Sequence, residues 1–233
     1  MHWLFEGLRA SWHIFYPHLC VVCSKSLPTS DVFYCLSCQA LLPRTDHHQF
    51  TENAFTERFW GRLPLTRGMA MFHFVKQGGV QQLIHHLKYE GRRDIGYGLG
   101  RTYGKVLQEA LTDDYPSVIV PVPLHPKKQH QRGYNQASVF ARGLSESMQI
   151  PVDNRVLGRT VYATSQTTKG RLERFRNVSQ AFVLKNTSGL PGEHILLVDD
   201  VLTTGATLEA CALQLLQVPG VRVSMATIAI AQM

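Results

Sequence analysis

ILLVDDVLTTGATL, residues 195–208, decides the fold. Four consecutive aliphatic residues read as a buried strand, which ends in Asp199 and Asp200; a short loop of Thr and Gly follows, and a helix begins near Ala206. In an open α/β sheet, ligands bind at the carboxyl ends of the strands, where this loop lies. Gly205 allows close approach to the backbone, and the amides of Thr203, Thr204, Gly205, Ala206 and Thr207 can point together at a phosphate above a helix N-terminus. The hydroxyls of Thr203, Thr204 and Thr207 add donors. Two adjacent carboxylates at the mouth of such a site repel each other unless they share hydroxyl donors or a cation, and ribose hydroxyls with Mg²⁺ are partners of that kind.

Working outward, strands alternate with helices. GMAMFHFV (68–75) reads as a strand, and Gly78 and Gly79 then precede a helix with Val80, Leu83, Ile84 and Leu87 on one face, stopped by Gly91. Asp94 is expected to cap the next helix, with Ile95, Leu99, Tyr103 and Leu107 on its apolar side. SVIVPVPLHP (117–126) is a second apolar run, followed by a polar basic loop and a helix around NQASVFARGLSESM (135–148). HILLV (194–198), the helix ATLEACALQLLQV (206–218) and a closing strand VRVSMATIAIAQ (221–232) complete the pattern. Such alternation implies an α/β fold, a mostly parallel sheet with helices on both faces. Cys211 falls in a predicted helix and reads as a small core residue.

The chain has 233 residues, 44% hydrophobic and 18% charged, which excludes wholesale disorder, collagen-like repeats and coiled coil. Its formal charge is +7, and the excess is local. Residues 120–185 hold eleven Lys/Arg against three Asp/Glu, whereas the remainder holds thirteen against fourteen. This clustering points to an anionic partner, either a phosphorylated small molecule or a nucleic-acid backbone.

Four of the five cysteines follow C-x2-C-x11-C-x2-C: Cys20, Cys23, Cys35 and Cys38. The spacing suits one tetrahedral thiolate site, so a structural Zn²⁺ is expected, folding a segment too small to bury its own core. His18, His47 and His48 lie nearby but are not needed once four sulfurs close the site. Before it, Trp3, Leu4, Leu8, Trp12 and Phe15 recur at helical spacing. No secretory leader pattern opens the sequence and no apolar run nears the roughly 18 residues of a membrane span, so a cytoplasmic protein without a membrane span is expected. The expected organisation is residues 1–43 as the N-terminal helix and four-cysteine zinc-ribbon-like module, 44–67 as a connector, and 68–233 as the α/β domain.

Residues 196–207 resemble the phosphoribosyl pyrophosphate (PRPP) signature of type I phosphoribosyltransferases. The four-cysteine module, LKYEGRRDIG (87–96), PVPLHPKKQHQRGYNQA (121–137), residues 166–177 and ATIAIAQ (226–232) together resemble the ComF family, also called ComFC or GntX-like proteins. The resemblance implies a type I phosphoribosyltransferase-like fold. It also implies that Asp199 and Asp200 hold the ribose hydroxyls with Mg²⁺, and that residues 203–207 hold the 5′-phosphate. Lys127, Lys128 and Arg132 would meet the pyrophosphate, with Asp199, Asp200 and Arg132 the catalytic set. Gln166, Arg174 and Asn177 would belong to a mobile loop over 159–178. Many purine-salvage relatives carry an acidic residue where this chain has Thr203, which argues against purine transfer. A base-recognising hood, built by relatives from extra segments, is expected here from the cysteine module and its helix.

The implied activity is Mg²⁺-dependent transfer of a phosphoribosyl group to an acceptor with release of pyrophosphate. Two other classes compete. One is a DNA-uptake or competence accessory that binds single-stranded DNA or competence and recombination proteins. The other is a regulator that senses PRPP or a nucleotide without chemistry.

Overall fold

The computed structural model describes residues 18–29, 32–160 and 181–232. The expected N-terminal helix and the positions Gln166, Arg174 and Asn177 lie outside these residues. The central sheet contains β1 (Leu65–Phe74), β2 (Val118–Pro121), β5 (His194–Leu202) and β6 (Arg222–Ala231), ordered β1-β6-β5-β2 with every neighbouring pair parallel. A separate antiparallel ribbon pairs β3 (Leu157–Arg159) with β4 (Phe182–Leu184).

Parallel strands need crossovers, and the helices that make them cover both faces. Successive residues of β5 serve opposite cores. Leu196 and Val198 pack with α2 (Gly79–Tyr89), α3 (Arg93–Ala110) and α5 (Gln136–Met148), whereas Ile195 and Leu197 pack with α6 (Ala206–Leu215) and the β3–β4 ribbon. The near-continuous aliphatic run therefore reflects burial on two sides, each full burial of a Leu or Ile contributing about 1.5–3 kcal/mol. α3 and α5 approach so closely that a Cβ on Gly143 would lie 2.1 Å from the Tyr97 carbonyl oxygen. No helix among the described residues is long and apolar enough to cross a membrane.

Several local expectations change. Asp94 does not cap α3: Arg92 occupies the cap, and Asp94, in the first turn, accepts from its guanidinium at 2.7 Å while complementing the helix dipole. β1 begins at Leu65, inside the stretch read as a connector. β5 continues past the acid pair to Leu202. The basic stretch after β2 is not an open loop but a short helix, α4 (Pro126–Arg132), with Pro126 in its first turn and His125 accepting from the Lys127 N–H. Residues 44–67 are packed against the fold, with Phe55 and Phe59 fully buried.

The cysteine module, which includes α1 (Leu36–Leu41), shares the core that contains α2 and α3. Its Val22 lies against the start of α2, 2.9 Å from where a Cβ on Gly79 would sit.

Candidate phosphate and ribose site

β5 delivers the acid pair to the sheet's carboxyl edge. Asp199 accepts from the Asp200 N–H at 2.8 Å, and Asp200 Oδ1 lies 3.0 Å from Lys88 Nζ, in the last turn of α2. The cation that two neighbouring carboxylates require is thus supplied from within the chain. Burial and then the Asp200 charge push Asp199 up to about 7, against the lowering influence of the Asp200 N–H, Lys88 and Arg159. Lys88 lies in the LKYEGRRDIG stretch but was not among the expected site residues. Its sequence signal is only a lysine beside the apolar face of a helix.

Residues 203–207 turn from β5 into α6 around a small polar cavity lined by Asp199 and residues 201–208. Thr203 and Thr204 are exposed, and Thr204 Oγ1 accepts weakly, at 3.5 Å, from the Ala206 N–H. Gly205 is the N-cap of α6 with φ +85°, a left-handed conformation that favours glycine. A Cβ there would lie 3.0 Å from the Phe59 ring. Besides allowing close approach to the backbone, glycine is therefore required by the loop's own conformation and by the aromatic side chain behind it.

That side chain belongs to a floor absent from the sequence expectation. Arg58 donates from its two terminal nitrogens to the carbonyls of Thr203 and Ala231, tying the loop to the end of β6. Arg62 pairs with the buried Glu209 in the first turn of α6. The repeat of Phe55/Phe59 and Arg58/Arg62 at a spacing of four was the available clue.

The RGYNQ segment orients Arg132. Gly133 ends α4 with φ +74°, Tyr134 donates to the carbonyl of Leu87, and Asn135 caps α5 by accepting from the Ala137 N–H. Buried Gln136 accepts from Arg132 at 2.9 Å, and the guanidinium sits 5.4 Å from the Tyr89 ring centroid. Arg132 thereby reaches the residue next to Lys88. Lys127 and Lys128 are exposed on α4, with no side-chain partner among the described residues.

The four cysteine sulfurs lie within 4.8 Å of one another, and all are free thiols. Cys23 and Cys35 are 3.7 Å apart, matching the edge of about 3.8 Å for sulfurs held about 2.3 Å from a tetrahedral zinc. Although burial raises the Cys20 thiol, backbone N–H groups of Cys35, Cys23 and Val22 outweigh it and bring it down to about 6. This donor set can bind a metal such as zinc.

Residues 134–231 match the Phosphoribosyl transferase domain family. The chain is 29% identical over 209 residues to Competence protein F of Haemophilus influenzae, covering 86% of this chain and 85% of that protein. It is 32% identical over 206 residues to the DNA utilization protein YhgH of Escherichia coli, covering 85% and 84%. Similarity to Competence protein ComFC of Bacillus subtilis is 28% over 138 residues, covering 59% and 54%. With this parallel α/β sheet, its strand-to-helix loop and an N-terminal four-cysteine cluster, the chain belongs to the ComF family and carries a type I phosphoribosyltransferase-like fold.

Proposed function

We propose that this protein binds PRPP with Mg²⁺ and transfers the phosphoribosyl group to an acceptor, releasing pyrophosphate. The observation that carries the reading is the continuity of the acid pair, the exposed threonine loop and α6 around one polar cavity. Asp199 and Asp200 hold the ribose hydroxyls, and residues 203–207 hold the 5′-phosphate with N–H groups, hydroxyls and the positive end of α6. Arg132, oriented by Gln136 and Tyr89, meets the diphosphate together with Lys127 and Lys128. The family resemblance adds Gln166, Arg174 and Asn177 to this set of ligand-binding residues.

Mg²⁺, held by the diphosphate with Asp199 and Asp200, would offset charge on the leaving group; Lys88 already offers Asp200 a cation that such an ion must share or displace. At C1, the acceptor's lone pair forms the new bond as the C1–O bond breaks and its electron pair leaves on pyrophosphate. The chain's part is positioning, charge stabilisation and exclusion of water. Zinc at the four thiols is structural, and the protein works in the cytoplasm.

Calorimetric titration with PRPP tests this reading. Binding is expected with Mg²⁺ and is lost in the Asp199→Asn/Asp200→Asn double variant; unchanged affinity in that variant refutes it.

A second reading, a DNA-handling role, is favoured by the exposed Lys127 and Lys128 and by relatives named for competence and DNA utilization. Affinity for single-stranded DNA that falls steeply with salt, and falls further on Lys127→Glu/Lys128→Glu, supports it.

A further inference from the structure

A second cavity of about 600 Å³ opens beside the polar one, and the two share Val201 and Thr203 as a common wall. Its size suits a one- or two-ring ligand. Phe74 at the end of β1, with Ile84 and Tyr89 of α2, supplies apolar and aromatic surface for a flat molecule. None of the described residues of the cysteine module lines it; Val22 of that module packs against the start of α2. Among the described residues, α2 forms a wall of this cavity.

The charge in this cavity is one-sided. Lys76, Lys88 and His85 line it, and no Asp or Glu does among the described residues. Lys88 is committed to Asp200, and His85 faces Glu90 at 3.4 Å. Lys76 is exposed and forms no ion pair among the described residues, so it is the cation left for a ligand. Nor does the lining, among the described residues, hold a carboxylate that could take a proton from an attacking N–H. A ring nitrogen with a free lone pair and no hydrogen needs none.

We propose that this cavity is the acceptor site, and that the acceptor is a planar nitrogen heteroaromatic carrying a carboxylate, packed against Phe74 and Ile84 beside Tyr89 and paired with Lys76. The inference rests on the PRPP reading, because the cavity gains its role from the ribose site that shares Thr203. The pyridine-type nitrogen gives its lone pair to C1, the C1–O bond to the diphosphate breaks, and the electron pair departs on pyrophosphate. No proton is transferred, and the product ring nitrogen carries the positive charge.

Titrations of the full chain separate this inference from the reading beneath it. PRPP with Mg²⁺ is titrated first; with that complex saturated, nicotinate and quinolinate are each compared with the corresponding uncharged amide. The acids are expected to bind at least tenfold more tightly than the amides and to raise pyrophosphate release above the acceptor-free rate. Lys76→Gln should bring acid and amide to the same affinity while leaving PRPP affinity unchanged. If PRPP binds but the acids do not, or bind no better than the amides or than adenine, the acceptor assignment is overturned and the PRPP reading stands. If PRPP itself does not bind, both fall.

Discussion

Lys88 Nζ lies 3.0 Å from Asp200 Oδ1, joining the last turn of α2 to the end of β5. The contact neutralises half of the acid pair inside the protein and leaves Asp199, pushed up to about 7, as the group that titrates near neutrality.

This has a consequence for stability. A carboxyl whose folded pKa exceeds its unfolded value holds a proton in the folded state that the unfolded chain has lost, so stability falls as pH rises from about 4 to about 7. The slope reaches at most about 1.4 kcal/mol per pH unit. Buried His47, pushed down to about 4, contributes the opposite slope over part of that range. Urea unfolding of metal-free wild type and Asp199→Asn at pH 5, 6 and 7 isolates the carboxyl. The variant should gain stability relative to wild type with each step upward, and parallel curves would refute the assignment.

Elemental analysis of the purified protein should find about one zinc per chain, lost on Cys35→Ser together with a drop in thermal stability. Full stability of the metal-free wild type would show that the four thiols need no ion.

Arg58→Ala removes the donors to the carbonyls of Thr203 and Ala231. The expected cost is about 1–3 kcal/mol in urea unfolding, with weaker PRPP binding because the loop loses its anchor. Arg58→Lys should recover only part of either, since one ammonium cannot reproduce the two-pronged contact. A lysine variant equal to wild type in both measurements argues against the clamp.

Gly205→Ala places a side chain at φ +85° and within 3.0 Å of the Phe59 ring. A loss of about 1–2 kcal/mol follows from the backbone alone, before any effect on ligand. Phe59→Ala, although itself destabilising, should reduce the additional cost of Gly205→Ala; a double-mutant cycle showing no coupling would contradict the packing relation.

The apolar run ending in Asp199 and Asp200, the threonine loop and the four-cysteine spacing were legible in the sequence because each is local. A strand buried on both faces, a turn requiring glycine and two C-x2-C pairs are specified by residues within a few positions of one another. The ComF resemblance likewise follows from contiguous segments. What only the tertiary structure decided is which distant groups complete the site. Lys88 reaches Asp200 because α2 packs across the sheet toward the end of β5, and Arg58 holds Thr203 while Phe59 backs Gly205 because the 44–67 stretch folds against this loop. The spacing of four between Phe55 and Phe59 and between Arg58 and Arg62 hints at a shared face but names no partner, since the proximity of such pairs comes from the stacking of layers around two cores. The same packing, with Tyr89 beneath Arg132 and Thr203 between the two cavities, sets where charge and aromatic surface meet.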